Sequence, residues 1–470
     1  MEFHNSKLEE FNKFIFGKQV AIIGMGVSNI PLLDYFYEKG SKVTVFDNRN
    51  IDEIDKNVIG KIEQYNFKYY FGEDNLKHLK GFDIIFRSPS AMPFIKEFEE
   101  EVNRGAILTS EIEMVLKLTP CRVIGITGTE GKTTTTSIIY EIMKNAGYNC
   151  FLGGNIGRPI FTKIKDMSKD DFVILEMSSF QLMDMDVSPD VSLVTNIYPD
   201  HLNIHRSYEE YQEAKKNIFK YQNENGIVVL NYDNDITRSF EKDVNGKVIF
   251  FSSKEKLQDG YIYDDADGNI KYCEDGIRRH LVHKSQIKLR GIHNYENICS
   301  ALAVTASFVD IDNAIKTIKE FNGVEHRLEF VKEIDNVKYY NDSIGTSPAS
   351  TIAGLNAFDE NIILLAGGSD KGLDYEEVGN AIAKKVTTLI LCGPTSEKIE
   401  KATKDALLKL NLGKNIEICK VSNLEEAVNL AKEKSKPGDV VLLSPASASF
   451  DAFKNFAHRG EKFKEFVNKI

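Results

Sequence analysis

The sequence predicts an α/β protein built of three consecutive α/β domains. Three observations carry that expectation. A chain of 470 residues has room for about three cores at roughly 150 residues each. Short β-branched runs alternate with amphipathic stretches along its length, the pattern of parallel sheets covered by helices. A strand running into glycines and then a helix also starts afresh more than once.

Taken in order, "QVAIIGMG" reads as a buried strand, "SNIPLLDYFYEKG" as a helix and "KVTVFD" as the next strand. "DIIFRSPS" repeats the strand-to-turn theme, and the unit closes near the helix "SEIEMVLKL". This predicts a Rossmann-like N-terminal domain over 1–111. "RVIGITG" opens a P-loop central domain over 112–323, continued by "DFVILEMSS", "VSLVTNI" and "GIVVLN". Within it, "SSKEKLQDGYIYDDADGNIKYCEDGIRRH" is polar and turn-rich, yet Tyr and Ile recur at strand-like spacing. A small β insertion of hairpins is expected there. After "FNGVEHRLE", the runs "VKYYNDS", "NIILLAGG", "TLILCG" and "DVVLLSP" predict a Rossmann-like C-terminal domain over 324–470.

Composition narrows the function. Hydrophobic residues make up 42% and charged residues 27%, as in ordinary globular proteins. A formal charge of -11 argues against a broad surface for nucleic acid or anionic membrane. Anionic ligands must then be held locally, by helix N-termini and a few placed lysines. The six cysteines are scattered and form no C-x-x-C pair, which indicates reduced thiols and neither a disulfide framework nor a zinc site. The start of the chain is polar and acidic, and no apolar run reaches a membrane-spanning length. A cytoplasmic, monomeric protein is expected.

Two glycine turns carry the first chemistry. "GMGVSN" has two glycines of G-x-G-x-x-G, with Asn29 where the third belongs and Asp47 lying 21 residues after Gly26. The turn admits NAD, another nucleotide or a purely structural role, and the following helix N-terminus can hold a diphosphate. "GITGTEGKTTTT" lies between the strand "VIGI" and the helix "TTTSIIYEIMKNAG". That context predicts a phosphate cradle formed by Gly128, Thr129, Glu130, Gly131, Lys132, Thr133 and Thr134. Lys132 would reach the β/γ-phosphates of ATP and the Thr133 hydroxyl would bind Mg²⁺.

The form G-T-x-G-K-T-T resembles the loop of the Mur ligase family, and further blocks extend the likeness over essentially the whole chain. The resemblance implies that Asn155 in "FLGGNIGRPI" contacts substrate and that Glu176 in "ILEMSSFQL" completes an Mg²⁺ shell. It implies a second Mg²⁺ held by His201 of "TNIYPDHLNIH" and by a carbamylated Lys215 of "YQEAKKNIF". Lys132, Glu176, His201 and Lys215 would form the catalytic set. Lys216 stands beside Lys215 on a helix that can equally show a solvated face; the Tyr-x-x-x-Lys spacing favours Lys215. Glu176 could instead cap a turn, and His201 could be a core histidine. Asn294, Asn297 and Arg327 would lie near the adenine and phosphates of ATP, and Asp342 would bind the ribose.

"LLSPASASFDAFKNFAHRGEKF" and "LAGGSDKGLDY" resemble the branch of the family that adds D-glutamate to UDP-N-acetylmuramoyl-L-alanine. On that likeness Lys371, Ser449 and Phe456 would bind D-glutamate, while Ser28, Asp47, Ser88 and Ser90 would face the UDP group. Three positions depart from the family pattern: Glu130 for the common Asn, Ser90 for Gly, and Ile344 for a lysine near the reacting phosphate, although Thr346, which the resemblance makes a substrate-binding residue, keeps its place. A folate polyglutamylating ligase shares the P-loop and carbamate blocks but lacks a Rossmann-like first domain. A nucleotide switch would not need the amino-acid residues. Domain closure is expected, with the third domain rotated away when no ligand is bound.

Overall fold

The computed structural model describes residues 5–200, 204–411, 413 and 415–470. The predicted second-metal residue His201 lies outside them. The chain divides into two compact units, one formed by Met1–His283 with Glu296–Ile318 and the other by Lys284–Tyr295 with Lys319–Ile470. Among the described residues no helix is long and apolar enough to cross a membrane, and all six cysteines are free thiols.

The first unit holds two sheets. Strands β1 (Gln19–Ile23), β2 (Lys42–Asp47), β3 (Lys68–Phe71), β4 (Ile84–Arg87) and β5 (Ile107–Thr109) pair in the order β3-β2-β1-β4-β5. Every pairing is parallel. Strand order reverses between β1 and β4, so a crevice opens beyond their C-terminal ends, where open α/β sheets take ligands. The turns from Gly24 and from Ser88 both fall there.

The second sheet holds β6 (Arg122–Thr127), β7 (Cys150–Gly154), β8 (Phe172–Glu176), β9 (Val191–Val194), β10 (Ile227–Asn231) and β11 (Lys247–Ser252). It continues through β12 (Gly260–Asp264), β13 (Asn269–Glu274) and β14 (Ile277–His283), in the order β14-β13-β12-β11-β10-β9-β6-β8-β7. The predicted hairpin segment is indeed β. It lengthens this sheet instead of standing apart: β12 pairs parallel to β11, and β13 and β14 add an antiparallel edge. Alternating Tyr261, Tyr263 and Ile270, each buried, supply the apolar side that anchors the extension.

The two sheets of this unit share one apolar cluster, which runs from Leu8, Phe36 and Phe86 through Val115 and Phe161 to Val173 and Leu230. The helix Glu111–Leu118 lies between them, capped by the Ser110 hydroxyl, which accepts from Glu113 N at 3.2 Å. Its first residue, Glu111, is 3% exposed and accepts from Ile160 N (2.9 Å) and Phe161 N (2.8 Å). Burial, only partly opposed by those two amides, raises its carboxyl to about 7. The folded state therefore holds this proton more tightly than the unfolded chain does. Its contribution is fully present below the ordinary carboxylate range and is lost as pH rises through about 7. Glu111→Gln, which mimics the protonated form, is expected to be near neutral at pH 5 and stabilising at pH 8, by roughly 2 to 3 kcal/mol. Thermal melts at the two pH values check this; a gap that does not widen with pH contradicts it.

The other unit carries β15 (Glu329–Ile334), β16 (Val337–Asn341), β17 (Ile362–Ala366), β18 (Val386–Leu391), β19 (Glu417–Lys420) and β20 (Val440–Leu443). Their order is β15-β16-β20-β17-β18-β19, with only the β15–β16 pair antiparallel. Both faces are covered: one cluster includes Leu355, Val378 and Ile399, the other Ala427, Val428 and Phe463. The near-continuous apolar runs of β17 and β20 follow from burial on both sides.

Candidate active site

Both glycines of the phosphate loop have a steric cause. Gly128 has φ 146°, and a Cβ there would collide with the Thr195 hydroxyl at the end of β9. Gly131 has φ 80° and would collide with the Asn297 carboxamide. Both positions therefore need glycine. The loop is held from outside: Thr129 N donates to Asn196 O (2.9 Å), Glu130 N to Asn196 Oδ1 (2.9 Å), and Thr195 Oγ1 to Glu130 O (2.6 Å). The Glu130 side chain itself is exposed, so this departure puts its carboxylate in water. Helix Lys132–Asn145 follows, with its first amides facing the cradle. Lys132 Nζ donates to Gly128 O and Thr129 O, each at 2.9 Å. Thr133 is half-buried and Thr134 buried in the first turn.

Helix Tyr208–Lys220, capped by the Ser207 hydroxyl, brings Tyr211 and Lys215 to the loop one turn apart. The Tyr211 hydroxyl meets Thr129 Oγ1 at 2.9 Å. Lys215 is 2% exposed; its Nζ donates to Gly128 O (2.8 Å) and Thr127 Oγ1 (3.3 Å) and lies 4.8 Å from the Tyr211 ring centroid. Burial and then the nearby Lys132 charge push its ammonium well below the ordinary lysine range, against the pull of Asp200 and Glu176. Lys216 instead pairs with Glu213 (2.9 Å) and Asp243 (2.8 Å). Lys215 is thus buried against the loop, whereas Lys216 is a half-buried, ion-paired lysine.

Glu176 ends β8 and is 2% exposed. Its Oε1 accepts from Asn155 Nδ2 at 2.6 Å, while Oε2 is buried and accepts no hydrogen bond. A buried carboxylate oxygen left open beside a phosphate loop fits a divalent cation. Asn155, expected from the resemblance to contact substrate, holds Glu176 through that bond. Among the described residues no three His, Cys, Asp or Glu side chains gather into a metal site.

The crevice of the first sheet is tightly tied. Asp47 is 7% exposed; its Oδ2 accepts from Met25 N (2.7 Å), and Arg49 grips both of its oxygens (2.9 and 2.8 Å). Burial raises its carboxyl, but these hydrogen bonds outweigh that and hold it below the usual range. Asp47 thus shapes the glycine turn from behind. Asn29, in place of the third glycine, is 1% exposed and donates to Ile23 O (2.9 Å) and Gly24 O (3.0 Å). It fixes the turn by hydrogen bonding where a glycine would do so by close packing. Ser28 is half-buried in this turn, and the Ser88 and Ser90 hydroxyls lie 2.9 Å apart in the neighbouring one.

In the C-terminal unit, Arg327 is exposed between two non-glycine residues of positive φ, His326 (65°) and Leu328 (42°). That turn aims the guanidinium outward. Asp342 is 4% exposed, accepts from Ser444 Oγ (2.7 Å) and Leu328 N (3.3 Å), and is raised by burial to about 7. It therefore braces the turn that carries Ile344 and Thr346, both half-buried. Lys371 is exposed, Ser449 is 2% exposed, and the Phe456 ring packs nearly perpendicular to His326, with centroids 6.2 Å apart. Asn294 donates to Arg290 O at 2.6 Å.

Arg459 escaped the sequence reading. It is 3% exposed and donates to Ser343 Oγ (3.0 Å), Ser343 O (2.9 Å), Ser447 O (3.1 Å) and Ala448 O (3.1 Å). Ser343 Oγ in turn donates to Phe456 O at 2.7 Å. One guanidinium thus binds the Asp342–Thr346 turn, the approach to Ser449 and the helix start at Phe456. The available signal was its place in the quoted block "NFAHRGEKF".

Fold and site together define a P-loop α/β enzyme with a buried carboxylate and a buried lysine at the phosphate loop. The sequence matches three family profiles: "Mur ligase MurD-like, N-terminal domain" over 18–109, "Mur ligase middle domain" over 126–305, and "Mur ligase, glutamate ligase domain" over 326–447. Proteins named "UDP-N-acetylmuramoylalanine--D-glutamate ligase" are similar along their full lengths. That of Ruminiclostridium cellulolyticum is 45% identical over 99% of this chain and 100% of its own. Those of Clostridium tetani and Acetivibrio thermocellus are each 46% identical, over 99% of this chain and 100% and 99% of theirs. The solved UDP-N-acetylmuramate-alanine ligase MurC of Thermotoga maritima shares the fold, with TM-score 0.57, 17% identity, and coverage of 96% of this chain and 99% of that one. The chain belongs to the Mur ligase family.

Proposed function

We propose that the protein joins D-glutamate to the alanine carboxylate of UDP-N-acetylmuramoyl-L-alanine, consuming ATP, in the synthesis of peptidoglycan precursors. The observation that carries this reading is the end-to-end similarity, at about 45% identity, to ligases of that name. The site supports it. A carboxylate is a poor electrophile because its leaving group would be oxide. Transfer of the γ-phosphoryl group breaks the bond to the ADP oxygen and forms an acyl phosphate. The D-glutamate nitrogen then attacks the carbonyl carbon and loses a proton, and orthophosphate leaves, so the products are the amide, ADP and phosphate.

Most of the work is positioning and charge neutralisation among mutually repelling anions. Lys132 would exchange the Gly128 and Thr129 carbonyls for the β/γ-phosphates, with Thr134 contributing its backbone amide at the helix start, while Thr129 and Glu130, whose amides are held by Asn196, would shape the loop. Thr133 and Glu176 would hold one Mg²⁺, which supplies charge neutralisation for the triphosphate. We assign a second ion to His201 and to Lys215 as its carbamate. A neutral, buried amine adds CO₂ with release of a proton, and the product is a carboxylate-like ligand. Asn294, Asn297, Arg327 and Asp342 would serve ATP, Asp342 by bracing its turn, and Thr346 would bind substrate. Lys371, Ser449 and Phe456 would receive D-glutamate. Ser28, Ser88 and Ser90 would face UDP, with Asp47 behind them. We place the UDP site on residues 1–111, the ATP site chiefly on 112–323 and the D-glutamate site on 324–470, and closure of the third part would exclude water from the acyl phosphate.

Mass-detected product formation from UDP-N-acetylmuramoyl-L-alanine, ATP and each of L-alanine, D-glutamate and L-lysine tests the assignment. Only D-glutamate is expected to give product. Product with another amino acid, or with none, overturns it.

A further inference from the structure

Arg87 closes β4 and is the residue immediately before Ser88. It is 1% exposed, yet it carries a full set of polar partners from two separate parts of the unit. Its Nε donates to Asp184 Oδ2 at 2.7 Å, and its Nη2 reaches the other Asp184 oxygen and Phe180 O (3.0 Å). Nη1 turns the other way, to Ala91 O (3.3 Å) and Ser88 O (3.4 Å), within the loop expected to face the diphosphate. Phe180 belongs to the turn that starts two residues after Glu176. That turn is stiffened by reciprocal bonds between Ser178 and Gln181 and by Thr127 Oγ1 donating to Met177 O (2.8 Å). A second contact lies further along the same loop, where the Arg206 guanidinium sits 5.6 Å from the Phe94 ring centroid.

A buried bidentate pair is weak evidence for stability, because desolvating two charges offsets much of their attraction. What such a pair does well is fix geometry through several directed bonds. From this geometry we infer that Arg87 is a positioning residue for the acceptor. With Asp184 it sets the reach between the diphosphate loop Ser88–Ala91 and the carboxylate Glu176, so that the acceptor's far carboxylate arrives at the phosphoryl group. The inference rests on the function proposed above.

Steady-state kinetics of the full chain test it, with UDP-N-acetylmuramoyl-L-alanine and ATP varied separately in Arg87→Met, Arg87→Lys, Asp184→Asn and Phe94→Ala. Asp184→Asn and Arg87→Met are expected to raise KM for the acceptor at least tenfold and to lower kcat about tenfold, while KM for ATP moves less than twofold. Arg87→Lys should recover part of the loss. Phe94 is 44% exposed, so its replacement spares the core; it should raise the acceptor KM about threefold even if the buried variants prove insoluble. Soluble Asp184→Asn with both KM values unchanged overturns the inference and leaves the function standing, as does an unchanged Phe94→Ala where the buried variants fail. A KM for ATP that shifts as much as that for the acceptor also overturns it. No product from the unaltered protein would instead remove the proposed function.

Discussion

Lys215→Ala is expected to lose at least a hundredfold in kcat and to regain part of it when formate or acetate is added. The reasoning begins with burial. An ammonium in this pocket meets the carbonyl of Gly128 and the ring of Tyr211, but it also meets the charge of Lys132 and almost no water. Those conditions favour the neutral amine, the form that reacts with CO₂. The carbamate would put an anion in place of that neutral amine near the open oxygen of Glu176, where the two would hold the cations that neutralise phosphate charge. Removing one such electrostatic contact typically costs about 3 kcal/mol, roughly a hundredfold in rate. Deleting the side chain leaves space for a small free carboxylate, which explains partial rescue. Turnover by Lys215→Ala at the parent rate, without additive, would refute the carbamate assignment. Lys216→Ala serves as the control and should keep its activity, since its partners are the surface groups Glu213 and Asp243.

Lys132→Met should be as severe. The lysine rests on two carbonyls of its own loop, at 2.9 Å each, and these bonds are available for exchange against phosphate oxygens. Methionine keeps most of the stem and removes the charge. At least a hundredfold loss of turnover is expected, with a melting temperature within a few degrees of the parent. Losing the cation should relax Lys215 as well, because the charge of Lys132 is one of the two influences that depress it. Activity retained within tenfold would show that the loop binds phosphate without this residue.

The parallel strands buried on both faces were legible because burial demands unbroken apolar runs: β1, β8, β17 and β20 all read directly. The strands that escaped are mostly edges. "KYYF" leaves its first two residues exposed, "ILT" has three residues, and "EICK" is exposed at both ends. Each packs on one side only and carries too few apolar residues to show a period. The shared core of the first two sheets was invisible too, since composition does not record which helix faces lie against each other.

At the site, residue types and order were readable while geometry was not. Spacing favoured Lys215 over Lys216, but only burial separates them. Asp47, Asn155 and Asp342 were read as groups facing ligands. The structure engages each with protein: Asp47 with Met25 and Arg49, Asn155 with Glu176, Asp342 with Ser444 and Leu328. Hydrogen bonding to neighbours far along the chain leaves no local signature, which is also why Arg87 and Arg459 were passed over. Ile344 stands on a turn bonded to His326 O through its amide at 3.0 Å, and nothing in the structure explains the change from lysine.

Isotope tracing tests the central claim most directly. UDP-N-acetylmuramoyl-L-alanine labelled with oxygen-18 in its alanine carboxyl is turned over with ATP and D-glutamate, and the liberated orthophosphate is weighed by mass spectrometry. Activation by phosphoryl transfer requires one labelled oxygen in each phosphate released. Orthophosphate free of label, with product formed at the normal rate, would contradict the account.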